Sequence, residues 1–261
     1  PMAKSICEYS ILLPNELQLY DQLTHGDELL LRTDLLPIHE RFACHVQEHP
    51  QKLAVILDDQ SLTYAELYDL SQRLADHLMG KYGVRRGDIV GQCVERSIEM
   101  SIGMLSILLS GGSYVAFSSH EPDERLVVLI DLVQPRCVLT HGMTDERVKA
   151  MGVSVNMSIV VDSDRKSPIR SVWSAGGLLD DIAFIMFTSG STGIPKMVPI
   201  KHRCFVHQVL SYTQVQLHRS NDITIQMAHC SFDEHVHEFL GTFISGATIV
   251  VLRPYGNLDM E

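Results

Sequence analysis

The sequence contains no Cys-x-x-Cys pair: its six cysteines, at 7, 44, 93, 137, 204 and 230, are scattered along the chain. That spacing argues against a disulfide framework and against a zinc knuckle, and it suits a reducing, cytoplasmic compartment. The N-terminal residues lack the basic region and apolar core of a secretory leader. No long uninterrupted apolar run is present either. The most apolar window, Ile98 to Phe117, contains Glu99, four serines and three glycines, and reads as a buried helix followed by a strand, not a membrane span. Positive charge is also short: the net charge is −11, so a nucleic-acid backbone is a poor partner and any phosphate site must be local. No internal repeat and no low-complexity segment occurs.

What is present is a loop suited to polyphosphate. Phe187-Thr-Ser-Gly-Ser-Thr-Gly-Ile-Pro-Lys196 follows directly on the apolar run Ile182 to Phe187, which reads as a buried strand. A strand that opens into a Gly/Ser/Thr loop turns several backbone N–H groups toward one point, and such a concavity binds anions. Gly190 and Gly193 let phosphate oxygens approach the backbone with no Cβ in the way. Thr188, Ser189, Ser191 and Thr192 add hydroxyl donors, and Lys196 adds a mobile point charge. The common P-loop ends Gly-Lys-Ser/Thr, whereas here Ile194 and Pro195 separate Gly193 from the lysine.

The rest of the chain alternates short apolar strands with helices. Apolar content of 45% and charged content of 20% over 261 residues are those of a globular protein with a large core, in one or two domains. The pattern predicts a short helix near Asn15, a helix over 38–50, a strand at 53–57 and a turn at 58–61. Thr63 and Glu66 then form a capping box, opening a helix that carries Leu67, Leu70, Leu74, Ala75 and Leu78 on one face. Strands are expected at 89–94, 114–117, 137–140 and 158–162, with helices at 97–109, 122–133 and 144–151, and a polar loop over 163–177. This is the signature of parallel βαβ units. The fold class is therefore α/β, layered α/β/α with largely parallel sheets. The chain opens at Pro1, ahead of Met2, and ends at Glu261 soon after an apolar strand, which reads as a piece of a longer polypeptide.

Four motifs in order resemble those of nonribosomal peptide synthetase adenylation domains, in the adenylate-forming (AMP-dependent synthetase and ligase) superfamily. Leu62-Thr-Tyr-Ala-Glu-Leu67 is similar to the first, and Ser110-Gly-Gly-Ser-Tyr-Val-Ala116 to the second. The loop 187–196 matches the third, and Ser231 to Phe239 with Ser245 to Thr248 resembles the fourth. The second departs from the family pattern, with Leu109-Ser110 for Lys-Ala and Ala116 to Ser119 for Pro-Ile/Leu-Asp-Pro. The resemblance covers residues 38–261, the N-terminal portion of the large adenylating subdomain. Residues 1–37 are similar to the linker that precedes such domains.

The resemblance implies ATP-dependent activation of an amino acid to an aminoacyl-adenylate, with this fragment inactive alone. Thr188, Ser189, Gly190, Ser191, Thr192, Gly193 and Lys196 would hold the ATP phosphates, with Lys196 also catalytic. The Mg²⁺ ligand is expected downstream of this chain. Asp233 would pair with the substrate ammonium, or serve only as a helix N-cap. Glu234 and His237 would line the side-chain pocket, though Glu234 could equally face solvent. The parent would hand its product to the phosphopantetheine of a carrier domain, with no membrane or nucleic-acid partner. Two alternatives stand beside this reading: an acyl-CoA or aryl-acid ligase of the same superfamily, and a catalytically dead nucleotide- or partner-binding remnant. His229, Asp233, His235 and His237 invite a metal reading, but on a helix i and i+2 point apart, so no metal site is assigned. The other histidines, His202 and His207 among them, are expected at the surface or the core edge.

Overall fold

The computed structural model describes Leu13, Glu16, residues 35–152, 154–157, 178–189, 195–214 and 218–254, and Gly256. Residue contacts divide the chain into two compact units, Pro1–Leu35 and Leu36–Glu261. In the first, the Leu13 amide donates to the Glu16 carboxylate at 2.8 Å; Asn15 and the rest of the expected helix lie outside the described residues. The second unit carries the sheets and helices.

Its elements run α1 (Ile38–Glu48), β1 (Leu53–Leu57), β2 (Gln60–Thr63), α2 (Tyr64–Lys81), β3 (Ile89–Cys93), α3 (Ile98–Leu109), β4 (Ser113–Ala116), α4 (Asp123–Val133), β5 (Cys137–Thr140), α5 (Gly142–Lys149) and β6 (Ser154–Asn156). They continue with β7 (Ile182–Thr188), β8 (Lys196–Lys201), α6 (His202–Gln214), β9 (Ile223–Gln226), α7 (Asp233–Val236), a π-helical turn (His237–Gly241), α8 (Thr242–Ile244) and β10 (Thr248–Val251). One sheet has the order β2-β1-β10-β9 and the other β6-β5-β3-β4-β7-β8. Only the β1–β2 and β7–β8 pairs are antiparallel among the described strands. The mixed α/β architecture with largely parallel sheets is therefore as expected.

Local sequence explains most boundaries. Thr63 Oγ1 accepts from the Glu66 amide at 3.2 Å, and the Glu66 carboxylate accepts from the Thr63 amide at 2.9 Å. That reciprocal cap starts α2 where the sequence placed it. Tyr64, fully buried, donates its hydroxyl to the Ala247 carbonyl at 2.6 Å and so ties α2 to the start of β10. Pro122 is the N-cap of α4 and not its first residue. The expected strand 158–162 and loop 163–177 lie outside the described residues, and the strand seen in that region is β6.

The layers follow from which helices bury which faces. Every residue of α3 except Glu99 is buried, because α3 touches β1 of one sheet and β3 and β4 of the other. A helix apolar all round fits such a place. Gly103 permits the approach: a Cβ there would lie 2.2 Å from the Gln92 side-chain oxygen. Gln92, 2% exposed, donates in turn to the Met100 carbonyl at 3.1 Å. The opposite face of the six-stranded sheet presents Val115, Phe117 and Val138, which pack against Leu126, Leu129, Ile130 and Val133 of α4 and Val148 of α5. Burying each such Leu or Ile stabilises the fold by about 1.5–3 kcal/mol.

Three histidines are core residues; a surface place was expected for His39 and a surface or core-edge place for His202. His39 and His202 meet edge to face with ring centroids 5.4 Å apart, and His235, on α7, is wholly buried. His202 Nδ1 accepts from the Ile38 amide at 3.3 Å, which requires a neutral tautomer. Burial lowers the pKa of His39 to about 3, helped by the neighbouring His202 and opposed by Asp181. Burial likewise lowers His202 to about 4 and His235 to about 3.

These values fix an acid sensitivity. In the unfolded chain the same imidazoles take up protons below about 6.5, while in the fold they stay neutral down to 3 or 4. Their contribution is complete above the unfolded pKa and is lost as pH falls from there toward the folded values. Each contributes a slope approaching about 1.4 kcal/mol per pH unit. Denaturant unfolding of the chain measured from pH 7.5 down to 4.5 is expected to show stability falling steeply below pH 6.5, with His235→Phe removing up to about 1.4 kcal/mol per pH unit of that slope. A profile flat from pH 6.5 to 5 would show that these imidazoles are not buried neutral.

Candidate functional site

Parallel pairing of β5, β3, β4 and β7 puts their carboxyl ends on one edge of the six-stranded sheet. The phosphate-loop sequence leaves from that edge. β7 is buried along Ala183 to Met186 and ends at the exposed Thr188. The chain returns as β8, an antiparallel partner that the sequence reading did not assign, and Thr188 pairs with Lys196. Lys196 is thus the first residue of a strand, held by the sheet register opposite Thr188 at the mouth of a hairpin. Thr188, Ser189 and Lys196 are all exposed. Gly190, Ser191, Thr192 and Gly193 lie outside the described residues. The hydroxyls of Thr188 and Ser189 with the Lys196 ammonium make a cationic, donor-rich rim, the chemistry that a polyphosphate fits.

At the same edge the connections after β3 and β4 diverge: α3 runs between the two sheets and α4 covers the far face. A crevice opens where neighbouring strands send their connections to opposite faces. It forms a pocket of about 210 Å³, whose walls include Glu95 and Arg96 after β3, Ser118 and His120 after β4, and His229 and Cys230 after β9. His229 Nε2 lies 3.1 Å from Ser118 Oγ and its Nδ1 2.7 Å from Ser231 Oγ. Burial lowers the His229 pKa, and the neighbouring His120 lowers it further. Burial pushes the Cys230 thiol up to about 12, so it stays protonated and unreactive as a nucleophile.

The second candidate element starts at Asp233. Phe232 is the N-cap of α7, so Asp233 is the first helical residue and not the cap. Its carboxylate is exposed and accepts only from the adjacent Glu234 amide, at 3.1 Å, among the described contacts. A carboxylate in a helix's first turn is favourably placed, and this one is open to a cationic partner from solution. Glu234 is exposed as well. His237 is half-buried against α6, its ring centroid 4.9 Å from Phe205 and 5.7 Å from Tyr212. Burial lowers its pKa, with Glu234 opposing. His235 turns the other way, toward Tyr114, whose hydroxyl is 3.4 Å from its Nε2. The two histidines point apart, as i and i+2 on a helix must. Among the described residues no group of three His, Cys, Asp or Glu side chains could hold a metal ion.

The sequence reading missed two charged residues. Glu238, in the π-helical turn, accepts from the Met227 and Ala228 amides at 3.0 Å each and from Gln226 Nε2 at 3.3 Å. Burial raises its pKa against those hydrogen bonds and Arg96. Arg96 donates to the Met227 carbonyl at 2.7 Å. Neither announces itself in sequence: Arg96 meets a backbone carbonyl 131 residues away, and Glu238 is held mainly by amides across the turn before α7.

The AMP-binding enzyme family model matches residues 42–261. Gramicidin S synthase 2 of Brevibacillus brevis is 31% identical over 234 residues, 86% of this chain. Malpinin synthetase of Mortierella alpina is 33% identical over 226 residues, 85% of this chain. The chain spans 5% of the length of the first synthetase and 3% of the second. Among solved structures, the nonribosomal peptide synthetase FmoA3 in its α-methyl-L-serine-AMP bound form superposes with a TM-score of 0.73 at 26% identity, covering 84% of this chain and 24% of that one. The N-terminal subdomain of Klebsiella oxytoca NpsA, in complex with 3-hydroxybenzoyl-AMSN, gives a TM-score of 0.69 at 26% identity, covering 84% of this chain and 54% of that one. No helix among the described residues is long and apolar enough to cross a membrane. With the hairpin, the crevice and the Asp233 helix all inside the matched stretch, the chain belongs to the AMP-binding enzyme family and corresponds to the N-terminal part of a nonribosomal peptide synthetase adenylation domain.

Proposed function

We propose that the polypeptide carrying this chain uses ATP to activate an amino acid as its aminoacyl-adenylate. The substrate carboxylate oxygen attacks the α-phosphorus of ATP, the bond to the bridging oxygen of the β-phosphate breaks, and pyrophosphate leaves. The observation that carries the reading is the exposed Asp233 carboxylate at the first turn of α7. It supplies the charge that an α-ammonium group needs, and among the described residues no Lys or Arg pairs with it. The Thr188, Ser189 and Lys196 rim would hold the β- and γ-phosphates, neutralising charge as pyrophosphate departs, and the 190–194 glycines and hydroxyls would complete that cradle. Mg²⁺ accompanies ATP in this reading, and no residue named here is assigned to hold it. Glu234 and His237 would line the side-chain end of the amino acid. The acceptor of the adenylate is proposed to be the phosphopantetheine thiol of a carrier domain, in the cytoplasm.

A second reading is favoured by one observation: the NpsA subdomain was solved with a 3-hydroxybenzoyl-AMSN ligand. An aryl-acid ligase would use the same hairpin and leave Asp233 without a partner.

Two substitutions separate the roles. In the full polypeptide, Lys196→Ala is expected to lower kcat/KM for ATP in pyrophosphate exchange by about 10²–10³-fold. Because Lys196 is exposed on an edge strand, its stability cost should stay within about 0.5 kcal/mol. A large drop in melting temperature with unchanged exchange would reassign it as structural. Asp233→Ala is expected to raise the amino acid KM by about 10- to 100-fold, the loss of a charged hydrogen bond of about 1.5–3 kcal/mol, with the ATP KM unchanged. An amino acid KM that does not move would return Asp233 to a purely helical role.

A further inference from the structure

Asp233 sits at the end of a short irregular segment, and something must hold that segment still. Only residues 227–232 separate β9 from α7, and β9 is the edge strand of its sheet. Yet one peptide group in it, between Met227 and Ala228, is gripped from both ends. Its carbonyl accepts from Arg96 Nη2 at 2.7 Å. Its N–H, that of Ala228, donates to both Glu238 carboxylate oxygens at 3.0 Å. The Met227 amide adds a further 3.0 Å bond to Glu238 Oε1. A guanidinium on the oxygen side and a carboxylate on the nitrogen side lie along the peptide dipole, so each strengthens the other's hydrogen bond through the group between them.

The two charges come from different layers. Arg96 follows β3 in the six-stranded sheet, whereas the gripped peptide follows β9 in the four-stranded one. Glu238 stands in the π-helical turn directly behind α7. Single π turns inside helices recur at functional sites, where the extra residue re-aims side chains. Here the turn keeps Glu238 on the segment while His237 faces Phe205 and Tyr212. Burial alone would favour neutral forms of both groups, lowering Arg96 and raising Glu238, and each group's charge opposes the shift of the other.

We propose that Arg96 and Glu238, acting through the Met227–Ala228 peptide, are positioning residues that fix Asp233 relative to the phosphate-binding edge. The proposal rests on the reading of Asp233 as the ammonium partner. Neither residue is assigned a substrate contact. Their effect is geometric: the six-stranded sheet carries the hairpin with Lys196, the segment carries Asp233, and the clamp sets the distance between the bound ATP phosphates and the amino acid's ammonium. A misplacement of about 1 Å at such a distance costs on the order of 10²-fold in rate.

The test uses the full polypeptide in amino-acid-dependent ATP–pyrophosphate exchange. Glu238→Gln keeps the size and one acceptor oxygen. Arg96→Lys keeps the charge but loses the planar fork, and Arg96→Ala removes both. Glu238→Gln and Arg96→Ala are each expected to raise the amino acid KM by about 10- to 100-fold with the ATP KM unchanged, and Arg96→Lys should recover part of the loss. The Arg96→Ala/Glu238→Gln double variant should be no worse than the poorer single one, because both act on one peptide. The proposal is overturned if the amino acid KM stays put, if both KM values rise together, or if the two substitutions add. Should Glu238→Gln fail to fold by circular dichroism, the Arg96→Ala and Arg96→Lys pair decides by the same KM comparison. A wild-type protein that exchanges pyrophosphate only with acids lacking an amine overturns the functional reading itself, and the clamp's role with it; that outcome is visible before any variant is made.

Discussion

The constraint on which the site depends is the parallel register of β5, β3, β4 and β7. Parallel strands send all their carboxyl ends to one edge, and their connections must cross a face of the sheet to return. The ends of the β7–β8 pair at Thr188 and Lys196, the turn after β3 at 94–96 and the turn after β4 at 117–120 therefore meet at one line, although they are far apart in sequence. The register needs both faces buried. The all-buried β4 and the nearly all-buried α3 supply one face, and the cluster of Phe117, Leu126, Leu129 and Val138 supplies the other. Gly91 sits inside that cluster, where a Cβ would come within 2.4 Å of the Phe117 ring. Removing such packing would open the edge and disperse the site long before any functional side chain changed.

The two candidate substrate groups are met by different means. The hairpin offers hydroxyls and an ammonium held in place by a strand pair, Thr188 with Lys196. The other group is offered a single exposed carboxylate on a short helix whose own foundation is polar. The fold places positive charge and negative charge on separate elements, and this polarity suits two substrates, one bringing phosphate and the other an ammonium. Around them burial favours the neutral forms of His229, His235 and His237.

Much of this was legible in sequence because it is local. Thr63 with Glu66 announced a helix start, and the run 182–187 announced a buried strand. What was not legible depends on residues far apart in the chain. β8 carries no strand signal in sequence because Lys196, Pro199 and Lys201 interrupt its apolar pattern; it forms as an edge strand, where proline and lysine are tolerated. His39 read as a surface residue and His202 as surface or core edge, since nothing in either stretch reveals the other ring 5.4 Å away. The cap reading weighed for Asp233 rested on aspartate's preference for that position, but the cap is Phe232, one residue earlier, and Asp233 already belongs to the helix. Arg96 and Glu238 left no signal, since each is satisfied by backbone atoms of Met227 and Ala228.

The central claim is that the carboxylate of Asp233 makes this an amino-acid-activating site. The most direct measurement compares pyrophosphate exchange by the wild-type polypeptide with its best amino acid and with the des-amino analogue of that same acid. A site built to bond an ammonium group leaves its carboxylate unpaired when the amine is missing, and such sites discriminate by a factor of about 10⁴. The account predicts exchange with the amino acid and discrimination of that order against the analogue. Comparable exchange with both, or a preference for fatty or aryl acids, would contradict it.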